Sequence, residues 1–190
     1  VDTFFAGKIS PEALSALSKS FPIYFIIVAT SIGVTVAGTS LIGNSIGEKD
    51  EKKSLNYFTH IIYYSIMISL LITSIGLFFS KKVFILMGTT DEVLSLGIQY
   101  TNIIFSGSIL FILVVAMNSF LHAEGDTKTY RNVLVLSFLL NLILNPILIF
   151  GLFFFPELGI KGIGVSTIIS QFIAFLIILL KLFKNERIKQ

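Results

Sequence analysis

Ser137, Asn141 and Asn145 recur at every fourth position in a stretch whose other side chains are nearly all apolar, so a helix there would carry three polar groups on one face. Two carboxamides are costly in an apolar medium unless they meet a partner or water, and the stripe must therefore point inward. Pro146 follows directly. It supplies no backbone N–H and its ring crowds the Leu142 carbonyl, so a kink and a freed acceptor are expected beside the amides. Two chemistries fit this pattern: a cation or polar-ligand site where backbone and side-chain oxygen converge, or hydrogen bonding between helices. The spacing alone leaves both open.

Other polar groups in apolar surroundings are Gln99, Asn102 and Ser106, Asn118, and Thr167 with Gln171. Each taken singly is explained by interhelical hydrogen bonding. Asp2 is a carboxylate inside the apolar opening Val1–Ala6, and it is the sole formal charge near the interior of the apolar segments. His60 and His122 lie near segment ends without a second His, Cys or carboxylate at metal-ligand spacing, and are read as having no site role. No nucleophile, base and orienting group can be assembled, and the phosphate-cradling patterns GxxxxGK[ST] and GxGxxG are absent, which argues against an enzyme. Zero cysteines exclude disulfide and thiol chemistry, and basic clusters of the nucleic-acid-binding type are missing.

The elements that must position these groups stand out by what they lack. Ser20–Gly47, Ser54–Ser80, Val93–Ala123, Asn132–Pro156 and Gly162–Leu180 contain no Asp, Glu, Lys or Arg. Each is at or near the roughly 20 helical residues that cross a hydrocarbon core. Charged residues make up 13% of the chain and hydrophobic ones 54%, with a mean hydropathy of +0.90. A soluble chain of this length could not cover five helices that are apolar all round, and continuous apolar runs do not fit the alternation of a membrane β-barrel. The expected class is all-α: a polytopic transmembrane bundle in one lobe, residues 1–190, with full spans at about 12–47, 54–80, 92–122, 127–154 and 160–184 plus the end of a sixth. The opening at Val1 reads as the end of a helix cut from a longer protein.

Of the Lys and Arg residues outside the spans, five fall on one side and nine on the other, the latter including Lys49, Lys52, Lys53, Lys128, Arg131 and the tail residues Lys181, Lys184, Arg187 and Lys189. The more basic side is expected to be cytoplasmic, with the carboxy-terminal tail. In the first full span Ala29, Gly33 and Ala37 are four residues apart, and Gly43 and Gly47 repeat the spacing, a pattern expected to pack closely against another helix. Gly125 and Asp126 or Thr127 mark a turn and helix cap in HAEGDTKTYRN.

The opening VDTFFAGKISPEALSAL, the segment GTSLIGNSIGEKD, the turn AEGDTKTYRN, the stretch LNLILNPILIFG and the following GIKGIGVSTIISQ together resemble the multidrug and toxin extrusion (MATE) family. Their order and spacing resemble its amino-terminal half across the whole chain. The resemblance implies twelve helices in two pseudo-symmetric six-helix lobes, of which this would be the first, with a second lobe of the same full-length chain as its partner. It also implies that Asp2 is the cation-coupling acid and that Asn118, Asn141, Asn145 and Thr167 complete a polar cluster for proton or sodium. Relatives with the pattern NxxLDP carry aspartate where this chain has Asn145, so the site has one negative charge fewer and a single proton or sodium ion would neutralise it.

The function implied is a cell-membrane antiporter that exports amphipathic, often cationic, drugs or toxins by alternating access, with no cofactor beyond the transported ion and no nucleic-acid partner. One rival is a lipid-linked oligosaccharide flippase, which would be expected to place several basic residues in its spans, where this chain has none. Another is a structural membrane subunit whose polar stripe only holds helices together.

Overall fold

The computed structural model describes residues 1–188, so Lys189 lies outside the described residues. Among these are seven helices and no strand: α1 (Asp2–Ile9), α2 (Pro11–Gly47), α3 (Glu51–Leu86), α4 (Asp91–Ser106), α5 (Ser108–Ala123), α6 (Thr127–Phe150) and α7 (Ile160–Phe183). α2, α3, α6 and α7 are each long and apolar enough to cross a membrane, and α4 with α5 makes a fifth crossing if the bent pair is one span. The chain is a multi-pass helical membrane protein. Large apolar side chains such as Leu70, Phe78 and Phe138 stand on the outside of the bundle, as expected where the surrounding solvent is lipid.

The segment expected to span at 92–122 is bent: its helix breaks at Gly107, and α4 and α5 meet at 41°. The cause is local packing. Ile168 of α7 fills the space that a side chain at position 107 would need. The Thr73 hydroxyl of α3 donates to the Phe105 carbonyl at 3.0 Å and lies 2.7 Å from the Ser108 hydroxyl, replacing hydrogen bonding that the broken helix gives up. By contrast, α6 continues as helix through Pro146.

The small-residue stripe packs in part: a Cβ on Gly43 would lie 3.9 Å from the Ala123 Cβ of α5. Ala29, Gly33 and Ala37 lie on an exposed face of α2, and a Cβ on Gly33 would have no neighbour within 4 Å among the described residues. The close approach comes one position further along, where the Ser119 side chain of α5 occupies the place a Cβ on Gly38 would take.

Two turns set the geometry of the site. Ser10 is extended (φ −166°) and its hydroxyl oxygen accepts from the Ala13 N–H at 3.0 Å, with Pro11 opening α2. This cap folds α1 beside α2, and the flank of α1 reaches α6 and α7. Between α6 and α7, Gly151 adopts the left-handed conformation (φ 65°), and the Leu158 and Gly159 N–H groups donate to the Leu148 and Ile149 carbonyls at 3.0 and 3.2 Å. Gly162 then lies against the Leu148–Ile149 backbone, where an added Cβ would come within 2.8 Å of main-chain atoms. Close approach here brings the next turn of α7 against the amides of α6.

At the other end, the α2–α3 turn, the α5–α6 turn and the end of α7 converge. Arg187 Nε lies 3.7 Å from Glu51 Oε1 and 3.5 Å from Glu124 Oε1, and Lys181 Nζ is 3.5 Å from Asp126 Oδ2. Asp126 caps α6, accepting from the Thr129 N–H at 3.0 Å and from its hydroxyl at 2.6 Å.

Candidate functional site

Asp2, in the first turn of α1, is held by groups from α6 and α7. Asn145 Nδ2 donates to Asp2 Oδ1 at 2.9 Å, and Thr167 Oγ1 lies 3.4 Å from Asp2 Oδ2. Asn145 is fully buried, whereas Asp2 is half-buried. One turn back along α6, Asn141 Nδ2 donates to the Ser137 carbonyl at 3.0 Å, so that Ser137 takes part through its backbone. Asn141 Oδ1 faces α7, 3.2 Å from Ser166 Oγ and 3.4 Å from Thr167 Oγ1.

The sequence reading did not single out Ser166. It is fully buried, and its hydroxyl stands within reach of Asn141 Oδ1, Asn145 Oδ1 and the Ile163 carbonyl. Two adjacent hydroxyls in an apolar helix look alike in sequence. The signal that separates them is Gly162, four residues before Ser166 and hence on the same face, which is the face that touches α6.

The donors of the cluster are the Asn141 and Asn145 amides and the Ser166 and Thr167 hydroxyls. Ser166 and Thr167 each own one hydroxyl proton, and a hydroxyl donates to one acceptor at a time. Around them stand both Asp2 oxygens, Asn141 Oδ1, Asn145 Oδ1 and the Ile163 carbonyl. Oxygen predominates around the two hydroxyls, and oxygen is the donor type that a hard cation takes. Asp2 also lines a cavity of about 540 Å³ with Ser20, Phe21, Tyr24 and Tyr100. Tyr24 is shared with a neighbouring cavity of about 430 Å³, walled by Phe111, Tyr130 and Gln171 among others. Tyr24 was not apparent from spacing, because it sits among apolar positions that read as core.

Asn118 stands apart. It is 2% exposed on α5, and among the described residues its Oδ1 has no hydrogen-bond partner and it makes no hydrogen bond to the Asp2 network. The structure thus joins Asp2, Asn141, Asn145 and Thr167 and leaves Asn118 outside the hydrogen-bonded cluster.

Residues 1–147 match the MatE family model. The chain belongs to the MatE family. It is 31% identical over 92% of its length to "Probable multidrug resistance protein YoeA" of Bacillus subtilis, and 31% identical over 91% to the "FAD transporter" of Shewanella oneidensis. It spans 38% of the length of each of these relatives. Among solved structures, an inward-facing multidrug resistance MATE family transporter of the MOP superfamily superposes with a TM-score of 0.91 at 29% identity, covering 97% of this chain and 41% of that one. The chain therefore has the fold of part of a MATE transporter, and the carboxylate–amide–hydroxyl cluster lies within that part.

Proposed function

We propose that this chain is one lobe of a cation-coupled antiporter that exports amphipathic, often cationic, drugs or toxins by alternating access, with a second six-helix lobe of the full-length chain completing the central cavity. The observation that carries this reading is the acceptor-rich network joining Asp2 to Asn141, Asn145, Ser166 and Thr167 across three helices. One proton or one sodium ion bound there supplies the missing positive charge, and its arrival and departure alter how firmly α1 is tied to α6 and α7. An ion that binds one lobe geometry better than the other shifts the population between them. The aromatic cavities beside Asp2 support an amphipathic cargo, since Tyr24, Phe111 and Tyr130 offer flat apolar faces and Gln171 a hydrogen-bonding amide.

The basic end of the bundle is assigned to the cytoplasm, which puts the tail after α7 inside the cell membrane's inner face. The names of the relatives favour transport over the flippase and structural rivals. Vesicles carrying the full-length protein, loaded with a fluorescent organic cation, test this reading. Efflux is expected to follow an imposed proton or sodium gradient, and efflux indifferent to both gradients would favour a non-transporting role.

A further inference from the structure

We propose that the groove between the basic ends of α6 and α7 is a binding site for an anionic phospholipid. The groove has a volume of about 400 Å³. Its α7 wall is one helical face, with Ile177, Leu180, Lys181 and Lys184 at three- and four-residue spacing, and its α6 wall includes Asn132 and Leu136. These α6 residues look away from the central cavities, since Tyr130 and Leu134 of the same helix line the cavity shared with α2 and α5. The groove therefore opens on the outer side of the pair.

Its chemistry changes along its length. Leu136, Ile177 and Leu180 form an apolar floor toward the middle of the helices, and Lys181, Lys184 and Asn132 crown it at the end. Lys184 is exposed and has no ion-pair partner among the described residues. Lys181 is anchored 3.5 Å from Asp126, while Lys128 and Arg131, exposed on the first turns of α6, add positive charge at the same end. A phosphate diester with an acyl chain beneath it matches this order of positive, polar and apolar surface. Basic pockets between helix ends on the cytoplasmic side are where such headgroups bind. The inference rests on the membrane-spanning fold and the charge distribution, and it is independent of ion coupling at Asp2.

Native mass spectrometry of delipidated full-length protein, titrated with dioleoyl phosphatidylglycerol, dioleoyl phosphatidylcholine or inorganic phosphate, tests it. The first phosphatidylglycerol is expected to bind more tightly than phosphatidylcholine. Lys184→Gln should weaken that binding about fivefold and the Lys181→Gln/Lys184→Gln pair by a further similar factor. Lys184→Arg should retain it, and Leu136→Trp should weaken it with both lysines in place. Thermal unfolding in lipid-free detergent reports whether each variant is folded, and if the double variant is not, Lys184→Gln and Leu136→Trp decide. Equal affinity for the two lipids, unchanged phosphatidylglycerol binding in Lys184→Gln and Leu136→Trp, or displacement of the lipid by inorganic phosphate would overturn the proposal. Absence of phosphatidylglycerol binding to the native protein, as when the second lobe covers the groove, would overturn it too.

Discussion

Asn145 Nδ2 donates to Asp2 Oδ1 at 2.9 Å, a bond between residues 143 positions apart that ties α1 to the carboxy-terminal part of α6. The same amide accepts from Ser166 of α7, so one fully buried side chain joins three helices. A residue so placed serves both the stability of the bundle and the electrostatics of the carboxylate.

Replacing Asn145 with leucine removes a donor from Asp2 and an acceptor from Ser166 at once. Leaving buried polar groups unpartnered costs about 1–3 kcal/mol. The Asn145→Leu protein is expected to unfold at lower temperature than the native protein and to lose ion-driven efflux. Asn145→Asp instead adds the carboxylate that the NxxLDP pattern carries, and the number of ions exchanged per cargo, measured by ion flux, is expected to rise. An unchanged ratio would detach position 145 from coupling.

Ser166 is expected to matter more than the neighbouring Ser170, whose hydroxyl only donates to the Ser166 carbonyl within the same helix. Ser166→Ala should lower stability by about 1 kcal/mol and reduce efflux, while Ser170→Ala should leave efflux near the native level. Equal effects of the two would mean that the inter-helix bonds of Ser166 carry nothing.

Gly162 and Gly33 give opposite expectations for the same substitution. A Cβ at 162 would meet the backbone of Leu148 and Ile149, which cannot move aside like a side-chain tip, whereas a Cβ at 33 meets open space. Gly162→Ala is expected to destabilise by about 1–3 kcal/mol, through forced separation of α6 and α7. Gly33→Ala should be close to neutral in the same thermal melt.

Asp126 carries a pH-dependent share of stability. Hydrogen bonds from the Thr129 side chain, joined by one from its backbone N–H and by the Lys181 charge, outweigh burial and hold its carboxyl below the ordinary value of 3.8. Because the folded state favours the ionised form, this contribution is fully present above about pH 4 and is lost as pH falls through the folded pKa. Asp126→Ala is expected to cost about 1 kcal/mol at pH 7, as the loss of a helix cap, with the gap to the native protein shrinking in melts at pH 3. A gap that widens on acidification would reverse the sign of the argument.

The polar stripe of α6 was legible because four-residue spacing in an apolar stretch has few other readings, and the structure turns Asn141 and Asn145 onto α7 together. Its meeting with Asp2 was not readable from spacing, because 143 residues separate the partners, and only the family resemblance pointed to it. The break at Gly107 went unseen because neither proline nor charge marks it; Ile168 and Thr73, distant in sequence, create it. Of the small-residue pattern in α2, Gly43 meets Ala123 of α5, while near Ala37 it is the next position, Gly38, that meets Ser119, since a helix turns about 100° per residue. Asn118 looked like its fellow amides in sequence, yet a buried amide on α5 faces different neighbours from one on α6.

The most direct test is Asp2→Asn in the full-length protein, reconstituted into vesicles and assayed for cargo efflux under separate proton and sodium gradients. The side chain keeps its size but cannot exchange a charge. Efflux is expected to fall to the level of empty vesicles under both gradients, with insertion and thermal stability preserved. Undiminished gradient-driven efflux by that variant would contradict the assignment of Asp2 as the coupling group.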